Sequence, residues 1–177
     1  MVPGATTALT RRTTLRKAFL APWDPRVEQC YLYALADAQR NTGVAVHHTT
    51  RVITHHHTSA TPTRDNFPEF ARRFHRDVSC SVNTLLCEQR YDAPRELFDD
   101  RAAHMMRLVD AEAQASHLVY EYLNTVAAGL VKRPEHMPGR TIDFGLWKVG
   151  YIDVERPSVY FDSSRPERLR LELTPPP

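Results

Sequence analysis

Residues 44–61 read VAVHHTTRVITHHHTSAT. Val, Ile and Thr fill this stretch, and β-branched side chains of this kind suit the pleated, half-buried surface of a sheet. The composition predicts two strands joined near residues 49–51. In the second strand, which carries Thr54-His55-His56-His57-Thr58, side chains alternate. His55 and His57 therefore project to one face and His56 to the other. Imidazoles two positions apart on a strand sit roughly 6–7 Å from each other, close enough to converge on one metal ion. A polar sheet face would look the same in sequence. His56 with His47 or His48 also offers a second register for ligation, so the triplet alone leaves the choice open.

The flanking segments supply helices. Upstream, VEQCYLYALADAQR (27–40) places Val27, Cys30, Tyr31, Ala34, Leu35 and Ala38 on one face at helical spacing. Gly43 is a candidate left-handed cap for that helix. Before Pro22 and Pro25, the Thr-rich ALTRRTT (8–14) reads as a first strand. Downstream, Asp65 or Asn66 can cap a helix that has Pro68 in its first turn and runs to about Glu88. Its candidate core positions are Phe70, Phe74, Val78, Cys80, Val82, Leu85 and Leu86. RELFDD (95–100) reads as a short strand, and 102–131 as a long helix with little to interrupt it before Gly129. The order of strand, helix, strand, strand, helix, strand, helix predicts an α+β, ferredoxin-like βαββαβ sandwich. One antiparallel sheet carries helices on one face. Residues 1–161 form the expected domain, and 162–177 a Pro/Arg-rich C-terminal tail ending in three prolines.

Composition narrows the function classes. The chain has 177 residues, 42% apolar and 25% charged, with a formal net charge of +2, values ordinary for one globular domain. No apolar run approaches the ~20 residues of a membrane span, so no membrane partner is expected. Three cysteines, an odd and sparse count, predict free thiols in a reducing, cytoplasmic compartment. Cys80 and Cys87, seven apart on a helix, are expected in the core. Basic residues cluster despite the low net charge. Arg11 and Arg12 lie near the first strand, and Arg72, Arg73 and Arg76 on the second helix. Such clusters suit DNA phosphates, as they suit a solvated charged face.

A second chemistry-bearing stretch, Tyr120-Glu121-Tyr122-Leu123-Asn124, lies in the long helix. Tyr120 and Asn124 are spaced i, i+4 and share a face, whereas Tyr122 points elsewhere. A phenol of pKa near 10 is a weak nucleophile at neutral pH. It can attack a phosphodiester where a metal ion neutralises the developing charge. Two imidazoles and an amide one turn from the tyrosine could hold that ion.

Taken together, these segments resemble the single-tyrosine HUH transposases, and among them the REP-associated, insertion-sequence-200-like tyrosine transposases. The resemblance runs from about Leu9 to Phe161. LTRRTTLRKAFLAP is similar to the family's opening strand, and VITHHHTSATPTRDNFPEF to its His-hydrophobic-His strand and the following helix start. ARRFHRDVSCSVN is similar to its arginine-bearing helix. LVYEYLNTVAAGLVKRPEHMPG is similar to its Tyr-x-x-x-Asn-Pro-Val-x-Ala-Gly-Leu-Val segment. The resemblance implies His55, His57 and Asn124 as metal ligands and Tyr120 as the nucleophile, on a helix beyond the sandwich. It further implies Mg2+ or Mn2+ as cofactor and single-stranded or hairpin DNA as partner. The expected product is a 5′-phosphotyrosine with a free 3′-hydroxyl, made by a bacterial monomer or homodimer acting at the nucleoid. Ligand chemistry alone favours manganese or zinc for imidazoles, and manganese satisfies both arguments. Three positions depart from the family pattern. His56 stands at the usual hydrophobic middle position, Thr125 at the proline after the asparagine, and Met137 at a tryptophan before Pro-Gly. A non-catalytic DNA-binding module on the same scaffold is the alternative reading.

Overall fold

A computed structural model describes residues 2–90 and 93–177. The elements are β1 (Thr7–Arg12), α1 (Pro25–Thr42), β2 (Ala45–Arg51), β3 (His55–Thr61), α2 (Phe67–Glu88), β4 (His104–Arg107), α3 (Ala111–Ala127), a one-turn α4 (Leu146–Val149), β5 (Tyr151–Glu155) and β6 (Arg168–Glu172). The first four strands form one antiparallel sheet in the order β2-β3-β1-β4, and β5 and β6 form a separate hairpin. The βαββαβ order and the position of β1 between β3 and β4 give the ferredoxin-like α+β arrangement.

Local chemistry sets most boundaries. Asp24 starts α1 by accepting the Arg26 amide at 2.9 Å, with Pro25 at the first helical position. Gly43 ends that helix at φ 69°, where its amide reaches Gln39 O. β2 and β3 are joined at 52–54 and not near 49–51 as the sequence suggested. Thr49 and Thr50 pair in register with Thr58 and His57, so β2 continues through Arg51.

Alternation divides the sheet into two unlike faces. Leu9 and His56 face α1 and α2, where Tyr31, Phe70, Phe74 and Leu35 form the centre of the core. His56 is wholly buried, its Nε2 2.9 Å from His75 Nε2, and it packs edge-on against Phe74. Thr10, His55, His57 and His48 lie on the opposite face, which α3 covers.

Four further sequence expectations change. The fourth strand is His104–Arg107 and not RELFDD, although Phe98 makes an isolated bridge to Thr13 and Leu97 and Phe98 are buried. The long helix begins at Ala111, because Asp110 caps it by accepting the Ala113 amide at 2.7 Å, and it ends at Ala127. The boundary at 161 does not separate a domain from a tail. β6 lies beyond it, and Leu169, Leu171 and Leu173 belong to the core with Ile152 and Val154. Arg165 also pairs with Asp37 at 2.5 Å and Asp77 at 3.1 Å, tying this segment to α1 and α2. Cys30 is buried, but Cys80 is only half-buried and Cys87 is exposed in the last turn of α2.

Candidate functional site

The site begins with the strand triplet. The His55 and His57 rings lie 5.0 Å apart between centroids, on the face under α3. Helix α3 packs against β2 and β3 and carries Tyr120 and Asn124 to the same place. The Tyr120 ring is 5.5 Å from that of His57, and the buried Asn124 side chain lies within hydrogen-bonding reach of His55. Tyr120 itself is 49% exposed.

Burial shifts both imidazoles toward the uncharged form. Burial pushes His57 down to about 4, against the opposing pull of Glu121, so the ring is neutral at neutral pH. Burial and the neighbouring Arg12 also lower His55, while Asn124 acts in the other direction. His57 Nδ1 is 2.9 Å from Thr10 Oγ1, and its Nε2 is buried without any partner among the described residues. If Nδ1–H donates to Thr10, the orphaned Nε2 presents a lone pair, the arrangement by which an outer hydrogen bond fixes a metal-binding tautomer. Among the described residues, no three His, Cys, Asp or Glu side chains form a metal cluster. The donor groups that the fold brings together on this face are the His55 and His57 imidazoles and the Asn124 amide.

Two residues beside Tyr120 escaped the sequence reading. His117 lies 5.7 Å from Tyr120 between ring centroids, and its Nε2 is 3.3 Å from Glu121 Oε1. Glu121 is wholly buried, and its Oε2 lies 3.1 Å from His48 Nδ1. Burial alone would raise this carboxyl, but the His117 and His48 contacts outweigh it and the net shift is downward. The i, i+4 spacing of His117 and Glu121 was visible in the sequence, but their burial against β2 was not. His48 Nε2 is bound to Ile142 O at 2.9 Å, and His47 to Thr61 and Thr174. Neither is therefore available to His56, which faces the other layer.

A cleft of about 530 Å³ opens beside the site, with Arg12, His57, Asp99, Arg101, His117 and Tyr120 among its walls. The basic residues singled out in the sequence separate here. Arg12 is exposed on the site face, opposite His55 in the sheet register. Arg11 is half-buried, with its guanidinium 5.1 Å over the Phe98 ring. Arg72, Arg73 and Arg76 lie on α2, in the layer behind the sheet. Arg73 pairs with Glu69 and Arg76 with Asp77, whereas Arg72 is exposed. Tyr122 turns away from the imidazole pair, donates to Glu135 at 3.1 Å, and packs beside His48 and Phe144.

No protein-family model matches the chain, and no curated protein matches it. Among solved structures, the chain is similar to a REP-associated tyrosine transposase bound to a REP hairpin. That similarity has a TM-score of 0.61 at 18% identity, over 78% of this chain and 76% of that one. A candidate transposase from Deinococcus radiodurans R1 aligns at TM-score 0.49 and 14% identity, over 68% of this chain and 90% of that one. The first likeness establishes the fold: the chain has the α+β architecture of the REP-associated tyrosine transposase, with the sheet and helices in the same arrangement.

Proposed function

We propose that this protein is a metal-dependent enzyme that nicks and transfers single-stranded DNA through Tyr120. The observation that carries the reading is the meeting of β3 and α3. Tyr120, His55, His57 and Asn124 come from distant parts of the chain to one partly open face, with His57 Nε2 buried and without a partner among the described residues. A pure binding surface has no use for that set.

His55, His57 and Asn124 would hold the divalent cation, Mn2+ or Mg2+. Bound there, it would supply charge neutralisation to the phosphate oxygens. Thr10 fixes the His57 ring. Tyr120 Oη attacks the scissile phosphorus, the bond to the 3′-oxygen breaks, and the DNA remains attached as a 5′-phosphotyrosine. The linkage keeps the bond energy for religation to a second 3′-hydroxyl, so no nucleotide cofactor is required. Arg12 and Arg101 at the cleft are positioned to neutralise phosphates flanking the attack. Because the structural neighbour of the same fold holds a REP hairpin, hairpin-bearing single strands are the proposed substrate.

Denaturing gel electrophoresis of end-labelled hairpin DNA, incubated with the protein and manganese, tests the reading. The parent should give a protease-sensitive shifted band that chelation removes. Tyr120→Phe should lose that band while keeping DNA binding, and Tyr122→Phe should retain it. A band of parental intensity from Tyr120→Phe would sink the assignment. Loss from Tyr122→Phe alone would move the nucleophile by two residues.

A further inference from the structure

Resting on that reading, we propose that His117, oriented by Glu121, is the general base that takes the phenolic proton of Tyr120 as its oxygen attacks phosphorus. Two imidazoles neighbour the Tyr120 ring, those of His57 and His117, at 5.5 and 5.7 Å between centroids. His57 has no nitrogen to spare in the proposed site. Its Nδ1 is bound to Thr10 and its Nε2 is assigned to the cation. His117 differs. Its Nε2 lies 3.3 Å from the buried Glu121 Oε1, an ion-pair contact in which neither atom completes a hydrogen bond, and Nδ1 makes no hydrogen bond among the described residues. A carboxylate accepts only, so it favours the tautomer with hydrogen on Nε2 and leaves the Nδ1 lone pair free. His117 and Tyr120 both wall the 530 Å³ cleft.

Glu121 is itself held in place. Its second oxygen faces His48 Nδ1 at 3.1 Å, and His48 Nε2 donates to the Ile142 carbonyl at 2.9 Å. The chain from Ile142 through His48 and Glu121 to His117 therefore anchors the base to β2 and to the segment after α3. This is the logic of a nucleophile, a base and an orienting carboxylate, built on three positions of one helix.

The step balances as follows. The Tyr120 Oη–P bond forms and the P–O3′ bond breaks. The phenolic proton moves to His117 Nδ1, giving an imidazolium paired with Glu121, and the departing 3′-oxygen takes a proton from water. On religation the entering 3′-hydroxyl loses its proton to water, and the tyrosine oxygen leaves with the proton returned by His117.

The test is single-turnover adduct formation on labelled hairpin DNA with manganese. The parent is compared with His117→Gln, each with tyrosine or with a polyfluorinated tyrosine at position 120. A polyfluorinated phenol ionises near neutral pH and needs no base. His117→Gln should slow the adduct about 100-fold or more, within the range of general-base contributions, while hairpin affinity stays at the parental value. The fluorinated nucleophile should restore most of that loss in His117→Gln and change the parent little. A His117→Gln rate within about twofold of the parent overturns the proposal. So does a slow variant that the fluorinated tyrosine does not recover, because a packing defect would not respond to nucleophile acidity. Failure of the parent itself to form any adduct defeats the nicking reading, a result separate from either of these.

Discussion

Lowering the pH from 7.5 to 5.0 should strip several kcal/mol from the folding stability of this protein, through histidines that the fold buries uncharged. Burial drives His75 down to about 3 from 6.5 and His57 to about 4, and carries His56 well below its ordinary value. A histidine depressed in the folded state costs nothing above pH 6.5, where both states are neutral. Below that, the unfolded chain takes up a proton that the folded chain refuses, and stability falls as pH falls toward the folded value. At pH 5.0 the unfolded residue sits 1.5 units below its own pKa of 6.5, so each such group removes about 2 kcal/mol. His75 and His57 together remove about 4 kcal/mol, a large share of the 5–15 kcal/mol stability of an ordinary domain, and His56 acts in the same direction. Urea titrations at the two pH values, with a chelator present so that metal binding does not contribute, give the difference directly. His75→Asn keeps a donor for His56 Nε2 but removes one titrating group. Whatever its own baseline, its stability difference between the two pH values should be about 2 kcal/mol smaller than the parent's. Equal pH differences in parent and variant would refute the reasoning.

Three further outcomes are expected. Leu171→Ala, at a wholly buried position on β6, should cost about 2–5 kcal/mol by urea unfolding, and deletion of 162–177 should leave no cooperative transition. A truncated chain that melts like the parent would return this segment to the status of a tail. Arg12→Ala should weaken binding to hairpin DNA and flatten its salt dependence, because Arg12 stands exposed at the site, whereas Arg72→Ala with Arg73→Ala should have the smaller effect from behind the sheet. The reverse ranking in salt titrations would route the DNA over α2. His57→Ala should lower the affinity for Mn2+, read by paramagnetic resonance without any DNA, by at least about tenfold. Unchanged affinity would remove β3 from the metal site.

The elements that the sequence revealed were those governed by local chemistry. Gly43 takes the left-handed cap because no side chain opposes that conformation, and Pro68 stands where a first helical turn needs no donor. The alternation of HHH in a strand was sufficient to send His56 one way and His55 with His57 the other. The misplaced elements failed for equally physical reasons. HMMR has no β-branched residue and forms β4 only because β1 offers an unpaired edge, and the leucines of RLRLE alternate too briefly to announce a strand without Tyr151–Glu155 beside them. The sequence by itself determined the period, the caps and the pairing of Tyr120 with Asn124 on one helix face. Only the tertiary structure decided which face of the sheet α3 covers, and with it the burial of Glu121 between His48 and His117. A carboxylate's exposure, and the partners that make its burial tolerable, depend on residues more than seventy positions away in the chain.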